Sequence, residues 1–243
     1  MITTILFDLD GTLLPMNQDE YIRKYTGALA NYYIEAGFDP EQFPIALFHS
    51  IVAAIKNNGE KTNEQVFWDV FCKETGKDLR DDMAALYRFY AEIHPTMCSA
   101  VQQNRNSRIP LEILREKGYK LVLATNPVFP RMATYQRMSW AGFTPDDFKL
   151  VTTYENSCTC KPNPQYFLEV AEKVGSAPEE CLMIGNDTRD DMAALTVGMQ
   201  GYIITDFLID HNQSIEQYPH GTWKDFQRMA LDLPNIYASI YNK

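Results

Sequence analysis

The stretch Ile5-Leu6-Phe7-Asp8-Leu9-Asp10-Gly11-Thr12-Leu13-Leu14 decides how the rest of the chain is read. An apolar run that ends in two carboxylates and a glycine predicts a buried strand followed by a turn. Alternate strand residues face the same side, with α-carbons roughly 6.5–7 Å apart. Asp8 and Asp10 are therefore expected to converge on one reacting group if Asp10 continues the strand. Charge is costly to bury, so a carboxylate pair at the carboxyl end of a strand marks a candidate site.

On the carboxyl side of this strand the pattern turns helical. From Asn17 to about Ile93, four segments repeat apolar residues at helical spacing. Their predicted inward stripes are Ile22, Tyr25, Leu29, Tyr33 and Ala36; Ile45, Phe48, Val52 and Ile55; Val66, Phe67, Val70 and Phe71; and Leu79, Met83, Leu86, Tyr90 and Ile93. Asn17 with Glu20 and Thr62 with Gln65 have the spacing of capping boxes. Asp39-Pro40-Glu41 offers an N-cap followed by a proline at the first helical position. Gly37, Gly59 and Gly76 sit where helices should stop. The segment Pro95 to Asn106, polar and mixed, is expected to return the chain from this helical insert.

From Ser107 onward strands and helices alternate. Strands are predicted at Tyr119 to Thr125, Phe148 to Thr153, Cys181 to Gly185 and Gly201 to Thr205, with helices between them. That alternation implies right-handed crossovers and a parallel sheet covered on both faces. Ligands of such sheets bind beyond the carboxyl ends of the strands. Those ends carry Asp8 and Asp10, then Thr125-Asn126, then Lys161, then Asn186-Asp187 with Asp190-Asp191. Two carboxylates, a hydroxyl, an ammonium and a second acidic cluster suit phosphoryl transfer.

Composition narrows the partners. A net charge of −10 argues against a nucleic-acid backbone or an anionic membrane surface. No apolar run reaches the roughly 18–20 residues of a membrane span. Met1-Ile2-Thr3-Thr4 carry no basic leader, and a cytoplasmic protein is expected. The five cysteines are odd in number and scattered, so no disulfide framework is expected. Cys158 and Cys160 form a C-x-C whose default reading is a pair of reduced thiols beside a strand end. His49, His94, His211 and His220 fall in no motif and are expected to pack or face solvent. The C-terminal Thr222 to Lys243, with Trp223, Phe226 and Tyr237, is expected to pack on the core. No stretch speaks to oligomeric state.

The ordered set of strand-end residues resembles the haloacid dehalogenase (HAD) superfamily, in the phosphoglycolate phosphatase-like group whose helical cap follows the first strand. The D-x-D-G-T-L motif stands as Asp8-Leu9-Asp10-Gly11-Thr12-Leu13. Thr125 ends a strand in Leu123-Ala124-Thr125-Asn126. Lys161 opens Lys161-Pro162-Asn163-Pro164, and an acidic cluster follows Gly185. The resemblance covers essentially the whole chain. It implies an α/β fold, a three-layer Rossmann-like core from residues 1–15 and 96–243, and a helical cap from 16–95.

It also implies roles. Asp8 would be the nucleophile that forms an aspartyl-phosphate, and Asp10 the acid and base. Thr125 and the amide of Asn126 would hold phosphoryl oxygens, and Lys161 would neutralise Asp8. Mg²⁺ would bind Asp8, the Asp10 carbonyl and Asp187. In the family the position after the glycine is often Asp; here it is Asn186. Asp187 is preferred as ligand because a carboxylate holds Mg²⁺ more firmly than an amide. Asp191 would then orient Lys161 or a metal-bound water, with Asp190 as a weaker rival. The expected activity is a phosphatase for a small phosphorylated metabolite. The alternatives are a phosphomutase, which needs an acid/base from the cap, and a silent phosphate-binding module. A dehalogenase of this family lacks the second acid, so Asp10 disfavours that reading.

Overall fold

A computed structural model describes residues 1–101 and 107–237. Among them six strands form a single sheet: β1 (Thr4–Phe7), β2 (Lys120–Leu123), β3 (Leu150–Val151), β4 (Cys181–Gly185), β5 (Gln200–Ile204) and β6 (His220–Gly221). Every pairing is parallel, and the order β3-β2-β1-β4-β5-β6 puts β1 in the middle. Register matters most here. Phe7 pairs with Leu123 on one side and Ile184 on the other, so the central strands end side by side. Asp8, Ala124 and Gly185 are the next residues of each.

Strand alternation sorts the core into two halves. Ile5, Phe7, Leu121, Leu123, Leu182 and Ile184 join one cluster, and Leu6, Val122 and Met183 join the other. Burying each such side chain stabilises the fold by about 1.5–3 kcal/mol. The helical insert follows β1: α1 (Gln18–Glu35), α2 (Gln42–Ile55), α3 (Asn63–Thr75) and α4 (Met83–Arg88). Beyond it, α5 (Arg108–Glu116), α6 (Arg131–Trp140) and α8 (Trp223–Asp232) contribute to the first cluster, and α7 (Pro164–Lys173) contributes to the second.

Local chemistry sets the helix starts. The Asn17 side chain accepts the Glu20 amide at 3.0 Å. Thr62 and Gln65 form the full reciprocal box, at 3.2 and 3.0 Å. Asp39 instead accepts the amides of Glu41 and Gln42, so α2 begins at Gln42 and Pro40 precedes it. The start of α3 also fastens the insert to the sheet. Its first amides, Asn63 and Glu64, donate to the carbonyls of Ser157 and Tyr154 at 2.8 and 2.9 Å. The buried Asn63 side chain donates to the carbonyls of Pro127 and Thr159 at 3.0 and 3.2 Å. Helix amides with no partner inside the helix are thus satisfied by the sheet's loops.

Several local expectations need correction, among them the inward placement of Ile22, Ala36 and Met83, which are exposed. Most of the predicted α2 stripe faces out: Ile45, Phe48 and Ile55 are 54%, 63% and 42% exposed, while Phe43, Ala46, Leu47, Ser50 and Ala54 are buried. This helix is apolar nearly all round, so spacing alone does not choose its inner face. The predicted helix from Leu79 to Ile93 is three pieces: a 3₁₀ turn (Leu79–Asp82), α4, and a π turn (Phe89–Ile93) that buries Phe89 and Tyr90. The third strand shortens to Leu150–Val151, although Lys149 and Thr152 still donate to β2 carbonyls. The segment Met192–Val197 is a 3₁₀ helix.

At the C-terminal end, Trp223 stacks on Phe7 and donates its indole N–H to the Thr12 carbonyl at 3.2 Å. Phe226 meets Phe7 edge-on, whereas Tyr237 is 54% exposed. Residues 238–243 of this segment, and 102–106 of the expected return segment, lie outside the described residues. His94–Ala100 of that segment is a 3₁₀ turn. No helix among the described residues is long and apolar enough to cross a membrane.

Candidate active site

Asp8 leaves β1 just past its last paired residue and keeps one ladder bond, its amide donating to the Ile184 carbonyl at 2.9 Å. Asp10 does not continue the strand. The chain turns at once: Gly11 donates to the Leu14 carbonyl and Leu14 to the Leu9 carbonyl, both at 2.8 Å. Gly11 sits at φ +83°, and a Cβ there would lie 2.3 Å from the Asn186 side-chain nitrogen. Only glycine permits both the turn and this approach. Asp8 and Asp10 nevertheless line one cavity of about 250 Å³, with Thr125, Asn126 and Asp190.

Lys161, expected near Asp8, is buried behind it. Its ammonium donates to Asp8 Oδ1 at 2.8 Å and to Asp191 Oδ1 at 2.6 Å. Burial works against that charge, but Asp191 and Asp8 outweigh it and hold the Lys161 pKa well above its usual range. Asp191 Oδ2 accepts the amides of Asn186 and Asp187, both at 3.0 Å. Burial pushes the Asp191 carboxyl above the usual carboxylate range, against the pull of Lys161. Asp191 therefore ties the end of β4 to the lysine behind Asp8.

Thr12 links two further groups. Its hydroxyl lies 3.2 Å from Asp8 Oδ2 and 3.1 Å from Asn186 Oδ1. Asn186 is further fixed by its amide nitrogen, which donates to the Phe207 carbonyl at 2.6 Å. Asp187 turns elsewhere. Both its oxygens lie 2.9 Å from His211 Nε2, and Oδ1 also accepts the amides of Arg189 and Asp190. Thr125 is buried, and its carbonyl accepts from the Thr152 and Tyr166 hydroxyls at 2.7 and 2.9 Å. The Asn126 Oδ1 is buried without a hydrogen-bond partner.

Those contacts bear on a bound cation. Among the described residues no group of three or more His, Cys, Asp or Glu side chains is arranged to hold a metal. The oxygens this end of the sheet can offer are of mixed kind: the Asp8 carboxylate, the Asn186 side-chain carbonyl that shares Thr12 with it, and the Asp10 main-chain carbonyl, which accepts from Gln18 Nε2. A hard divalent ion that keeps several waters fits such a set. Asp187, the expected ligand, holds its carboxylate toward His211 and two amides, whereas Asn186 Oδ1 shares the Thr12 hydroxyl with Asp8.

A family description, haloacid dehalogenase-like hydrolase, matches residues 2–198. The chain belongs to this family. Among curated relatives, pyrophosphatase PpaX of Bacillus pumilus is 27% identical over 199 residues, covering 81% of this chain and 80% of its own. Glyceraldehyde 3-phosphate phosphatase of Methanopyrus kandleri is 26% identical over 194 residues, 79% of this chain and 78% of its own. A HAD phosphatase structure from Thermococcus onnurineus superposes with a TM-score of 0.59 at 22% identity, covering 97% of this chain and all of the other. The structural likeness shows a shared HAD-type α/β fold.

The four strand-end motifs of this HAD hydrolase thus meet at one end of the sheet, and three residues beyond them join the site. Arg137 of α6 is fully buried and ion-paired with Asp10 Oδ2, and its guanidinium stacks on Phe129 at 4.3 Å. Nothing in a helical stretch of sequence singles it out, because the pairing depends on how α6 docks. His211 stands in a loop with φ +48°, a position no motif marks. Gln18 was legible only as a residue of the first helical turn. The other histidines stay outside: His94 is buried between Tyr21 and Gln136, its pKa lowered to about 4 by burial, His49 pairs with Glu74, and His220 meets the Tyr218 carbonyl. All five cysteines are free thiols, and burial pushes Cys160 up to about 12.

Burial, with a smaller contribution from Asp8, raises the Asp10 pKa, and Arg137 opposes both. In Arg137→Met the Asp10 carboxyl is therefore expected to titrate higher still. A carboxyl-carbon NMR titration that shows no upward movement would remove this pairing from the site.

Proposed function

We propose that this HAD hydrolase is a Mg²⁺-dependent phosphatase that cleaves small phosphate monoesters through an aspartyl-phosphate on Asp8. The observation that carries the reading is a buried carboxylate at a cavity wall, held from behind by Lys161. Asp8 would attack phosphorus while the ester oxygen departs with a proton from Asp10. Asp10 would then take a proton from the water that releases phosphate. Lys161 and Thr12 fix the angle of Asp8, Thr125 and the Asn126 amide would hold the transferring oxygens, and Asp191 positions Lys161. Mg²⁺, when bound by Asp8, the Asp10 carbonyl and Asn186, would neutralise phosphoryl charge. The helices of residues 16–95 would act as the cap that excludes water.

The relatives named as phosphatases support this reading. A phosphomutase needs a proton-transfer group from the cap. Among the described residues lining the cavity, those of the helical insert include no His, Lys, Arg, Asp or Glu. Turnover of a nitrophenyl phosphate that requires Mg²⁺ and stops with EDTA is the expected result; no turnover with any phosphate ester would sink the proposal. Asn186→Ala should raise the Mg²⁺ concentration for half-maximal rate more than Asp187→Ala does. The reverse order would return the metal to Asp187.

A further inference from the structure

Resting on the phosphatase reading, we infer that the alcohol portion of the substrate is apolar, an aliphatic or aromatic group without a second charge. The cavity beside Asp8 extends upward between the helices of the insert, where its walls include Tyr25, Leu29, Leu47, Ile51, Phe67 and Trp68. Its volume of about 250 Å³ exceeds the roughly 150 Å³ apolar cavity that accepts a benzene ring. Protein interiors leave few voids larger than a water molecule. A chamber this large, continuous with the reactive carboxylate, is shaped for a ligand.

Its chemistry disfavours a substrate with a second anionic group, such as pyrophosphate. The only charged side chains among the described lining residues are Asp8, Asp10 and Asp190. A carboxylate or second phosphate reaching into the chamber would lose water and meet carboxylates or hydrocarbon, with no cation to compensate. None of the insert's lysines or arginines is among the described lining residues, and three are paired elsewhere: Lys24 with Glu20, Lys61 with Asp69 and Arg80 with Asp78. Arg137 pairs with Asp10 and does not line the chamber. Three of the lining hydroxyls are already paired: Tyr25 bonds to Tyr90 and Tyr21 to His94, each at 2.7 Å. Specificity here comes from apolar surface above the phosphoryl site.

The test is a series of ethyl, butyl and hexyl phosphates with benzyl phosphate, whose alcohols are all poor leaving groups, run beside pyrophosphate and phosphoglycolate. Burial of each added methylene should raise kcat/KM about fourfold until the chamber fills. Hexyl or benzyl phosphate should exceed phosphoglycolate by about 100-fold, a few methylenes' worth of burial. A flat alkyl series, or pyrophosphate or phosphoglycolate as the better substrate, overturns the inference and leaves the phosphatase reading standing. Hydrolysis of none of them ends both. Ile51→Lys places a cation in the chamber and should lower kcat/KM for hexyl phosphate, mainly through KM, while raising it for phosphoglycolate. Ile55→Lys, at a lining position 42% exposed, makes the same comparison where folding is not at stake. An unchanged ratio of the two substrates in Ile55→Lys and in folded Ile51→Lys also overturns it.

Discussion

Asp8→Asn is expected to lower phosphate-ester hydrolysis by about 10⁴-fold or more, the scale on which an enzyme loses its nucleophile. The substitution keeps the shape of the side chain and removes the attacking charge. Asn at this position can still accept from Lys161, which retains its 2.6 Å contact with Asp191. The lysine therefore keeps its second carboxyl partner in place. The stability loss should stay within about 1.5–3 kcal/mol, the worth of one hydrogen bond to a charged group. Urea unfolding and single-turnover kinetics separate the two effects. An acid-quench experiment should trap phosphate on the wild-type chain and none on the variant. Retained turnover would show that the attacking group is something other than Asp8. Loss of turnover together with loss of the folded state would show that Asp8 matters first as the partner of Lys161.

The contrast between Asp8 and Arg137 shows what the sequence could reveal. Asp8, Thr125, Lys161 and Asn186 follow buried strands or stand in the loops between them, and parallel pairing carries strand ends to one edge whatever the loops do. Reading strand ends was therefore enough to assemble them. The pairing of Phe7 with both Leu123 and Ile184 is the physical reason it worked. Arg137 and His211 enter by another route. One projects from a helix face and the other from a loop, and their distances to Asp10 and Asp187 follow from docking angles that no local pattern encodes.

The outward face of α2 is not encoded by its local pattern, for a related reason. Ile45 and Phe48 are as apolar as Phe43 and Leu47, so the choice between two apolar stripes falls to α3 packing against α2. The two neighbouring residues Asn186 and Asp187 were separable by charge on paper. In the fold they are separated by direction, one toward Thr12 and the other toward His211.

Gly185→Ala is expected to damage both folding and catalysis, although it adds a single carbon. Gly185 ends β4, and its φ is not what demands glycine. A Cβ built there would stand 2.0 Å from Asp191 Oδ2 and 2.1 Å from Asp191 Cγ, a distance no real side chain tolerates. The carboxylate has no easy retreat. It holds the amides of Asn186 and Asp187 on one oxygen and Lys161 on the other, and its own residue is only 1% exposed. Displacing it strands a buried ammonium between one remaining partner and hydrocarbon, which costs about 3–5 kcal/mol when a buried pair is broken. It also frees Lys161 to swing, so Asp8 loses its fixed orientation and kcat should fall well before KM changes.

Denaturant midpoints and kcat, measured on the same preparation, are the readouts. Asp191→Gly supplies the control, because it removes the atoms that the new methyl would strike. In that background Gly185→Ala should add less than about 1 kcal/mol, a strongly non-additive pair as expected for residues in contact. Full additivity would mean that Asp191 does not occupy the space above Gly185, and the tie between β4 and the lysine behind Asp8 would have to be redrawn.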